Sequence, residues 1–322
     1  MFNLTEIEEA HRVVRSAMVP TPQYAWRALS RRLGAEVWVK HENHTPTGSF
    51  KVRGAITFVD WLRRTHPESP GIITATRGNH GQGQARAARA AGLRAVVYAP
   101  RGNSVEKNAA MRAFGAELIE FGADFDEAKE EVLRVAKAEG LTFVPPFHPE
   151  LVRGVATYAY ELLTEVPDLD TLYVPIGCGS GICGCIAARD ALGRDTRIVG
   201  VVSEHAQTAK LSFEAGHPVA TASARTFADG MAVRVPVDEA LAIYGTGAER
   251  IVAVSEAEVA EAIRTYYHDT HNLAEGAGAA PLAALMQEKD AMTGRKVAVI
   301  LCGGNIDRDW LVTVLQGGIP TV

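Results

Sequence analysis

The stretch Thr47-Gly48-Ser49-Phe50-Lys51-Val52-Arg53-Gly54 joins a strand to a helix. An apolar strand pattern over 35–40 leads to a polar turn over 43–48, and a helical pattern begins near the lysine. Lys51 therefore falls in the first turn of a helix. A lysine there is ordinarily a solvated surface charge. Here both immediate neighbours are apolar, and a helix start is electropositive. That setting disfavours the ammonium and lowers its pKa. An uncharged amine at a helix start is what Schiff-base chemistry requires.

Two further segments bear on Lys51. Pro175-Ile176-Gly177-Cys178-Gly179-Ser180-Gly181-Ile182 follows a strand pattern over 171–174 and opens a helix running to about Leu192. Small residues let successive backbone N–H groups converge on an anion, and the helix dipole adds to that field. No Lys-Ser/Thr follows, so this is not a Walker loop. Gly179, Gly181 and Gly184 also spell G-x-G-x-x-G, with Glu204 just past the next apolar strand, so a dinucleotide site stays open as an alternative. That alternative leaves Lys51 unexplained. The other segment, Val297-Ala298-Val299-Ile300-Leu301-Cys302-Gly303-Gly304-Asn305, is a buried strand ending in a thiol and two glycines. Cys302 reads as an inert core thiol or as a group presented at the carboxyl end of a central strand, where α/β folds bind ligands.

Strand patterns recur near 35–41, 71–76, 94–99, 116–121, 171–176, 197–203, 250–254 and 296–302. Helical patterns lie between them, for example Asp124 to Ala138 and Glu256 to Tyr267. Such alternation predicts an α/β fold with parallel sheet covered on both faces. The 322 residues, 47% hydrophobic and 22% charged, suffice for two lobes around one large site. A net charge of −5 without a basic run argues against nucleic acid. No apolar run is long enough to span a membrane, and the N-terminus lacks the pattern of a signal peptide. Cysteines 178, 183, 185 and 302 do not form a disulfide framework, which points to a reducing cytoplasm. Cys178, Cys183 and Cys185 lack the paired spacing of a zinc site.

Together these motifs, in their order along nearly the whole chain, resemble the fold-type II pyridoxal-phosphate enzymes, and among them the serine/threonine dehydratases. The resemblance implies two open parallel α/β lobes with pyridoxal 5'-phosphate between them. The large lobe would comprise 1–66 and 150–322, and the small lobe 67–149. Lys51 resembles the lysine that holds the cofactor covalently. Phe50 resembles the residue lying on one ring face, and Gly230 of Ala228-Asp229-Gly230 the glycine on the other. Gly177, Cys178, Gly179, Ser180 and Gly181 resemble the phosphate loop. Cys302 stands where the family faces the ring nitrogen with Ser, Thr or Cys, and Glu275 of Ala-Glu-Gly-Ala-Gly matches another motif on the cofactor side. Thr76-Arg77-Gly78-Asn79-His80 matches the family's substrate-binding Ser-x-Gly-Asn-His loop, with Asn79 placed to contact the ring oxygen.

Three departures qualify the match. Arg77 stands where related racemases keep a serine that works on the opposite face of Cα; a guanidinium is a poor acid or base. The expectation is that Arg77 pairs with the cofactor phosphate or the substrate carboxylate, or else points to solvent. Val202 and Thr208 stand where relatives hold a divalent cation by carboxylates, with Glu204 displaced by two residues, so no metal is expected. Gly154-Val155-Ala156-Thr157 loses a glutamine of the family, and a less polar pocket wall would suit a bulky β-substituent. His148, beside prolines in 145–149, reads as a base or as a structural turn residue.

The resemblance implies α,β-elimination from an L-β-hydroxy-α-amino acid of the threonine/serine type, giving a 2-oxo acid and ammonia. A β-aryl serine such as L-threo-phenylserine is the alternative substrate. β-Replacement on the same cofactor and a non-catalytic nucleotide-binding protein are weaker readings. The family default is a homodimer. The chain ends soon after the Cys302 strand, leaving no room for the regulatory domain of biosynthetic threonine dehydratases, which favours a catabolic enzyme.

Overall fold

A computed structural model describes residues 1–123 and 125–322. Among these residues the strands form two sheets. The larger contains β1 (Gln23–Ala25), β2 (Glu36–His41), β7 (Thr171–Pro175), β8 (Arg197–Ser203), β9 (Arg250–Val254) and β10 (Lys296–Leu301), in the order β1-β2-β10-β7-β8-β9. The smaller contains β3 (Gly71–Ala75), β4 (Arg94–Ala99), β5 (Glu117–Glu120) and β6 (Thr142–Phe143), in the order β5-β4-β3-β6. Every pairing is parallel except β1 with β2.

All eight expected strands are present within a residue or so of their expected bounds. β1 and β6 are missing from the sequence reading because three and two residues are too short to show a period. The helix expected from Asp124 spans Phe125–Glu139; Asp124 itself lies outside the described residues.

β10 is the axis of the large sheet. Val297 to Leu301 are wholly buried, as a continuous apolar run in a parallel sheet covered on both faces should be. It pairs with β2 on one side, Leu301 opposite His41, and with β7 on the other. Just past its end, Phe50 N–H donates to the Cys302 carbonyl at 3.0 Å and Gly304 N–H to the Gly48 carbonyl at 2.9 Å. Ser49 and Gly303 form an antiparallel bridge between them. Gly48 has φ +70°, and a β-carbon there would collide with the Asn305 side chain. The turn that begins the Lys51 helix is thus bound directly to the carboxyl end of the central strand.

Beneath that helix (Lys51–Thr65) lies a buried ionic network. The Arg53 guanidinium, wholly buried, forks onto Glu42 at 2.8 and 3.0 Å and onto Glu161 at 2.9 and 2.8 Å. It also donates to Thr157 at 3.0 Å and Thr21 at 3.2 Å. Lys40 adds a second cation, 2.7 Å from Glu161. Burial works against the ionised Glu161, but His11, 3.4 Å away, and the charges of Arg53 and Lys40 outweigh it and hold the carboxyl well below the usual range. Two cations and two carboxylates balance, and Arg53 lies two residues beyond Lys51.

Removing one member of such a network leaves an uncompensated buried charge. Arg53→Met is expected to lower unfolding stability by about 3–5 kcal/mol. Urea denaturation checks this, and a loss under about 1 kcal/mol, the worth of a surface pair, would contradict it.

Candidate active site

Lys51 is the first residue of its helix, and Phe50 caps it without a side-chain hydrogen bond. The lysine Nζ lies 4.5 Å from the Phe50 ring centroid and donates to Ser180 Oγ at 3.3 Å. Burial lowers the pKa of the amine, opposed in part by Cys178, Cys302 and Glu275. The Phe50 ring is itself fixed edge-on against Tyr158, 6.0 Å away.

Ser180 opens the helix Ser180–Ala191, immediately after β7 and the glycine loop. Gly179 takes φ +97°, and a β-carbon there would stand 2.6 Å from Ala240 Cβ. A β-carbon at Gly177 would collide with the Gly230 carbonyl oxygen. Bare backbone thus brings the loop 177–181, the 228–231 turn and the Lys51 amine together. The first-turn N–H groups of the helix have no partners within it, which suits an anion. Gly184 is explained by packing: a β-carbon there would press on the Ala156 backbone at 2.9 Å. Glu204 is exposed and 3.5 Å from His205, so the fingerprint reading loses its acidic partner.

Cys302 is buried, and burial pushes its thiol well above its ordinary pKa, so it stays neutral. Burial likewise raises Cys178. Glu275 N–H donates to the Gly303 carbonyl at 3.1 Å, which anchors the start of the helix Gly276–Gln287 at the end of β10. The Glu275 carboxylate receives Asn79 Nδ2 at 2.8 and 3.0 Å. Asn305 Nδ2 donates to Asn79 Oδ1 at 2.7 Å and to the Thr47 carbonyl at 2.9 Å. Both ends of the Asn79 amide are therefore engaged by protein. Burial, joined by the Asp229 charge, pushes Glu275 up to about 7, against the opposing effects of Asn79 and Lys107.

In loop 76–80, Thr76 is buried and its hydroxyl accepts from Gly78 N–H at 3.1 Å. His80 is held neutral: burial and the nearby Lys51 depress it to about 3, against a hydrogen bond with the Val144 backbone. Its Nε2 is buried without a partner. Arg77 is not brought to this cluster. Its side chain is exposed, and among the described residues no ion pair or hydrogen bond of the guanidinium is found; only its carbonyl is used, by Asn103 at 3.0 Å.

Other expectations resolve as packing. Val155 is buried, and its Cγ1 would stand 3.0 Å from a β-carbon at Gly184. The lost glutamine therefore sits at a seam between two helices, and a preference for a bulky β-substituent loses its basis. His148 caps the helix Pro149–Glu165 by accepting from Glu150 N–H at 3.1 Å and packs edge-on against Phe58, so it is structural. Cys183 faces the Ala240 carbonyl and Cys185 the Tyr158 hydroxyl. Val202 is buried, and the Thr208 hydroxyl is spent on the carbonyls of Val219 and Arg234.

Sequence reasoning missed Lys107, Asp229 and Asn305. Lys107 pairs with Asp229 beside Glu275, and Asn305 orients Asn79. Asp229 and Asn305 lie inside motifs that were read for their glycines and thiol. Nothing local distinguishes Lys107 from a solvated helix lysine.

Residues 14–303 match the family described as pyridoxal-phosphate dependent enzyme. The chain is 34% identical over 320 residues to an L-threonine ammonia-lyase of Thermotoga maritima, covering 99% of this chain and 79% of that protein. It is 31% identical over 314 residues to an L-threo-3-hydroxyaspartate ammonia-lyase of Saccharomyces cerevisiae, covering 97% and 96%. The solved structure of the processed form of threonine deaminase isoform 2 from Solanum lycopersicum superposes with a TM-score of 0.89 at 28% identity, over 98% of this chain and 94% of that one. The fold is the fold-type II arrangement expected from the sequence.

Glu275 gives a pH signature. Its folded pKa, about 7, exceeds its ordinary 4.5, so the folded state holds this proton longer than the unfolded chain does. Its contribution to stability is intact below pH 4.5 and is lost as pH rises through 7. The full loss is on the order of 3 kcal/mol. Glu275→Gln is expected to flatten the fall in stability between pH 5 and 8, read by urea denaturation of cofactor-free protein. An unchanged slope would contradict the assignment.

Proposed function

The chain belongs to the pyridoxal-phosphate dependent enzyme family, and on that premise we propose that it is an ammonia-lyase acting on L-β-hydroxy-α-amino acids of the threonine/serine type. The products are a 2-oxo acid and ammonia. The observation that carries this reading is the Lys51 amine, depressed in pKa by burial, set against the Phe50 ring and the first residue of the glycine-loop helix.

The site suits the cofactor. Bare backbone at Gly177 and Gly179 lets the loop pack closely on Gly230 and Ala240, and the first-turn N–H groups of the helix that follows suit a phosphate. Loop 177–181 would bind that phosphate, Phe50 and Gly230 would cover the ring faces, and Asn79 and Glu275 would line an edge. When bound, pyridoxal phosphate supplies an electron sink for the bond broken at Cα.

The remaining chemistry belongs to the chain. Lys51 Nζ would hold the cofactor and, once freed, take the α-proton of the substrate. Its lowered pKa favours the free amine for both tasks. Loop 76–80 would bind the substrate carboxylate through Thr76 and backbone N–H groups. Cys302 is neutral, so it offers the ring nitrogen no fixed negative charge, which favours prompt departure of a β-hydroxyl over storage of charge at Cα. His80, neutral and with Nε2 unpartnered, adds a hydrogen-bond acceptor near Lys51 and no positive charge.

We place the lobes at 1–66 with 150–322 and at 67–149; that the smaller sheet falls entirely within 71–143 supports this division. Among the described residues no helix is long and apolar enough to cross a membrane. The free thiols suit a reducing cytoplasm, and a homodimer accords with the resemblance.

A panel of L-threonine, L-serine, L-threo-3-hydroxyaspartate and L-threo-phenylserine, scored for 2-oxo acid, tests the reading. Turnover of threonine or serine is expected to lead. Lys51→Ala should lose at least about a thousandfold in kcat, or roughly 4 kcal/mol of barrier. No 2-oxo acid from any of the four, or a Lys51→Ala variant within about tenfold of wild type, a barrier change of only ~1.4 kcal/mol, would overturn it.

A further inference from the structure

Lys107 lies in the helix Val105–Ala113, which follows the smaller sheet's strand β4, and its side chain is only 8% exposed. Its ammonium pairs with Asp229, whose side chain is 24% exposed. Asp229 starts the turn Asp229–Met231, and the next residue is Gly230. The stem of Lys107 also runs beneath the substrate loop: a β-carbon on Gly78 would stand 2.9 Å from Lys107 Cδ. One side chain thus touches the residue before Asn79 and pairs with the residue before Gly230. The Lys107 Nζ lies 5.9 Å from the Trp310 ring centroid, so a third segment closes over the pair.

Neighbouring residues reach across in the same direction. Ser104 Oγ donates to Asp307 at 2.6 Å, and Glu106 accepts from Arg308 N–H at 3.1 Å. These contacts are partly exposed and peripheral. Lys107–Asp229 is the inner one, adjoining Glu275, whose carboxylate feels both charges. A largely buried pair gains from low dielectric, and loss of either partner leaves the other with an uncompensated desolvation cost.

We propose that the Lys107–Asp229 ion pair is a positioning pair for the reaction, holding loop 76–80 and the turn at Gly230 in register so that Asn79 and Gly230 meet the bound cofactor and substrate together. The proposal rests on the dehydratase reading for its catalytic consequence. Its structural half, the coupling of the two segments, stands on the geometry alone. Neither residue touches the reacting atoms. Their effect is on alignment, so it should fall on kcat/KM more than on cofactor retention, which Lys51 and loop 177–181 supply.

The test uses the cofactor-loaded protein with Lys107→Met, Asp229→Asn, Lys107→Arg and the swap Lys107→Asp with Asp229→Lys. Each single neutralisation is expected to lower kcat/KM by about thirtyfold, while the dissociation constant for pyridoxal phosphate changes less than about threefold. Lys107→Arg keeps the charge and should remain within about threefold of wild type, and the swap should recover at least about tenfold over the worse single variant. Hydrogen exchange should accelerate together at 76–82 and 226–232 in Lys107→Met, with 180–191 unchanged. Lys107→Met with wild-type kcat/KM, or exchange rising at only one of the two segments, would overturn the proposal. If Lys107→Met does not fold, the swap decides: a swap that melts like wild type without recovering kcat/KM assigns the pair to stability alone and also overturns it. Failure of the dehydratase reading is separable, because the exchange result needs no turnover.

Discussion

Two backbone hydrogen bonds, from Phe50 N–H to Cys302 and from Gly304 N–H to Gly48, tie the turn before Lys51 to the end of the central strand. The Lys51 amine and the Cys302 thiol both depend on this seam. β10 is buried on both faces and flanked by parallel neighbours, so its end is among the most constrained points in the molecule. Fixing a lysine to that point sets where its amine can reach before any ligand binds. In the proposed reaction, preorganisation of this kind would spare the cost of ordering a mobile lysine.

Electrostatics divides the work between two buried regions. Beneath the Lys51 helix, Arg53 and Lys40 face Glu42 and Glu161, two cations against two carboxylates. Around the amine itself the chain avoids strong partners: Cys178 and Cys302 are neutral thiols, Ser180 is a hydroxyl, and His80 is uncharged. A carboxylate ion-paired to Lys51 would hold it as ammonium. The carboxyl that does stand nearby, Glu275, is buried, occupied by Asn79, and raised to about 7. The two regions meet in the first turn of one helix, where Lys51 and Arg53 stand two residues apart.

The fold was readable in the sequence because apolar strands in a parallel sheet leave continuous runs, and eight of them stand where the pattern placed them. The short strands β1 and β6 left no period to read. In the site, Ser180, Cys302 and Glu275 were visible because each lies beside glycines, and Phe50 and Lys51 because they stand where a turn opens a helix. Lys107, Asp229 and Arg53 were not singled out, because a charge that finds its partner 122 or 108 positions away looks locally like any solvated charge. Arg77 shows the same limit: its place in loop 76–80 suggests an anionic partner, and its side chain is exposed, without a partner within the described protein. The family's glutamine position, now Val155, turned out to face a helix seam, which only tertiary packing could reveal.

The most direct measurement is borohydride reduction of the cofactor-loaded protein, followed by mapping of the phosphopyridoxyl label by peptide mass spectrometry. If the seam at β10 sets the reactive amine, the label falls on Lys51 alone, and Lys40 and Lys107, each held in an ion pair, stay unmodified. Label on another lysine in place of Lys51, or none on the visibly coloured protein, would contradict the assignment of Lys51 as the residue around which the site is built.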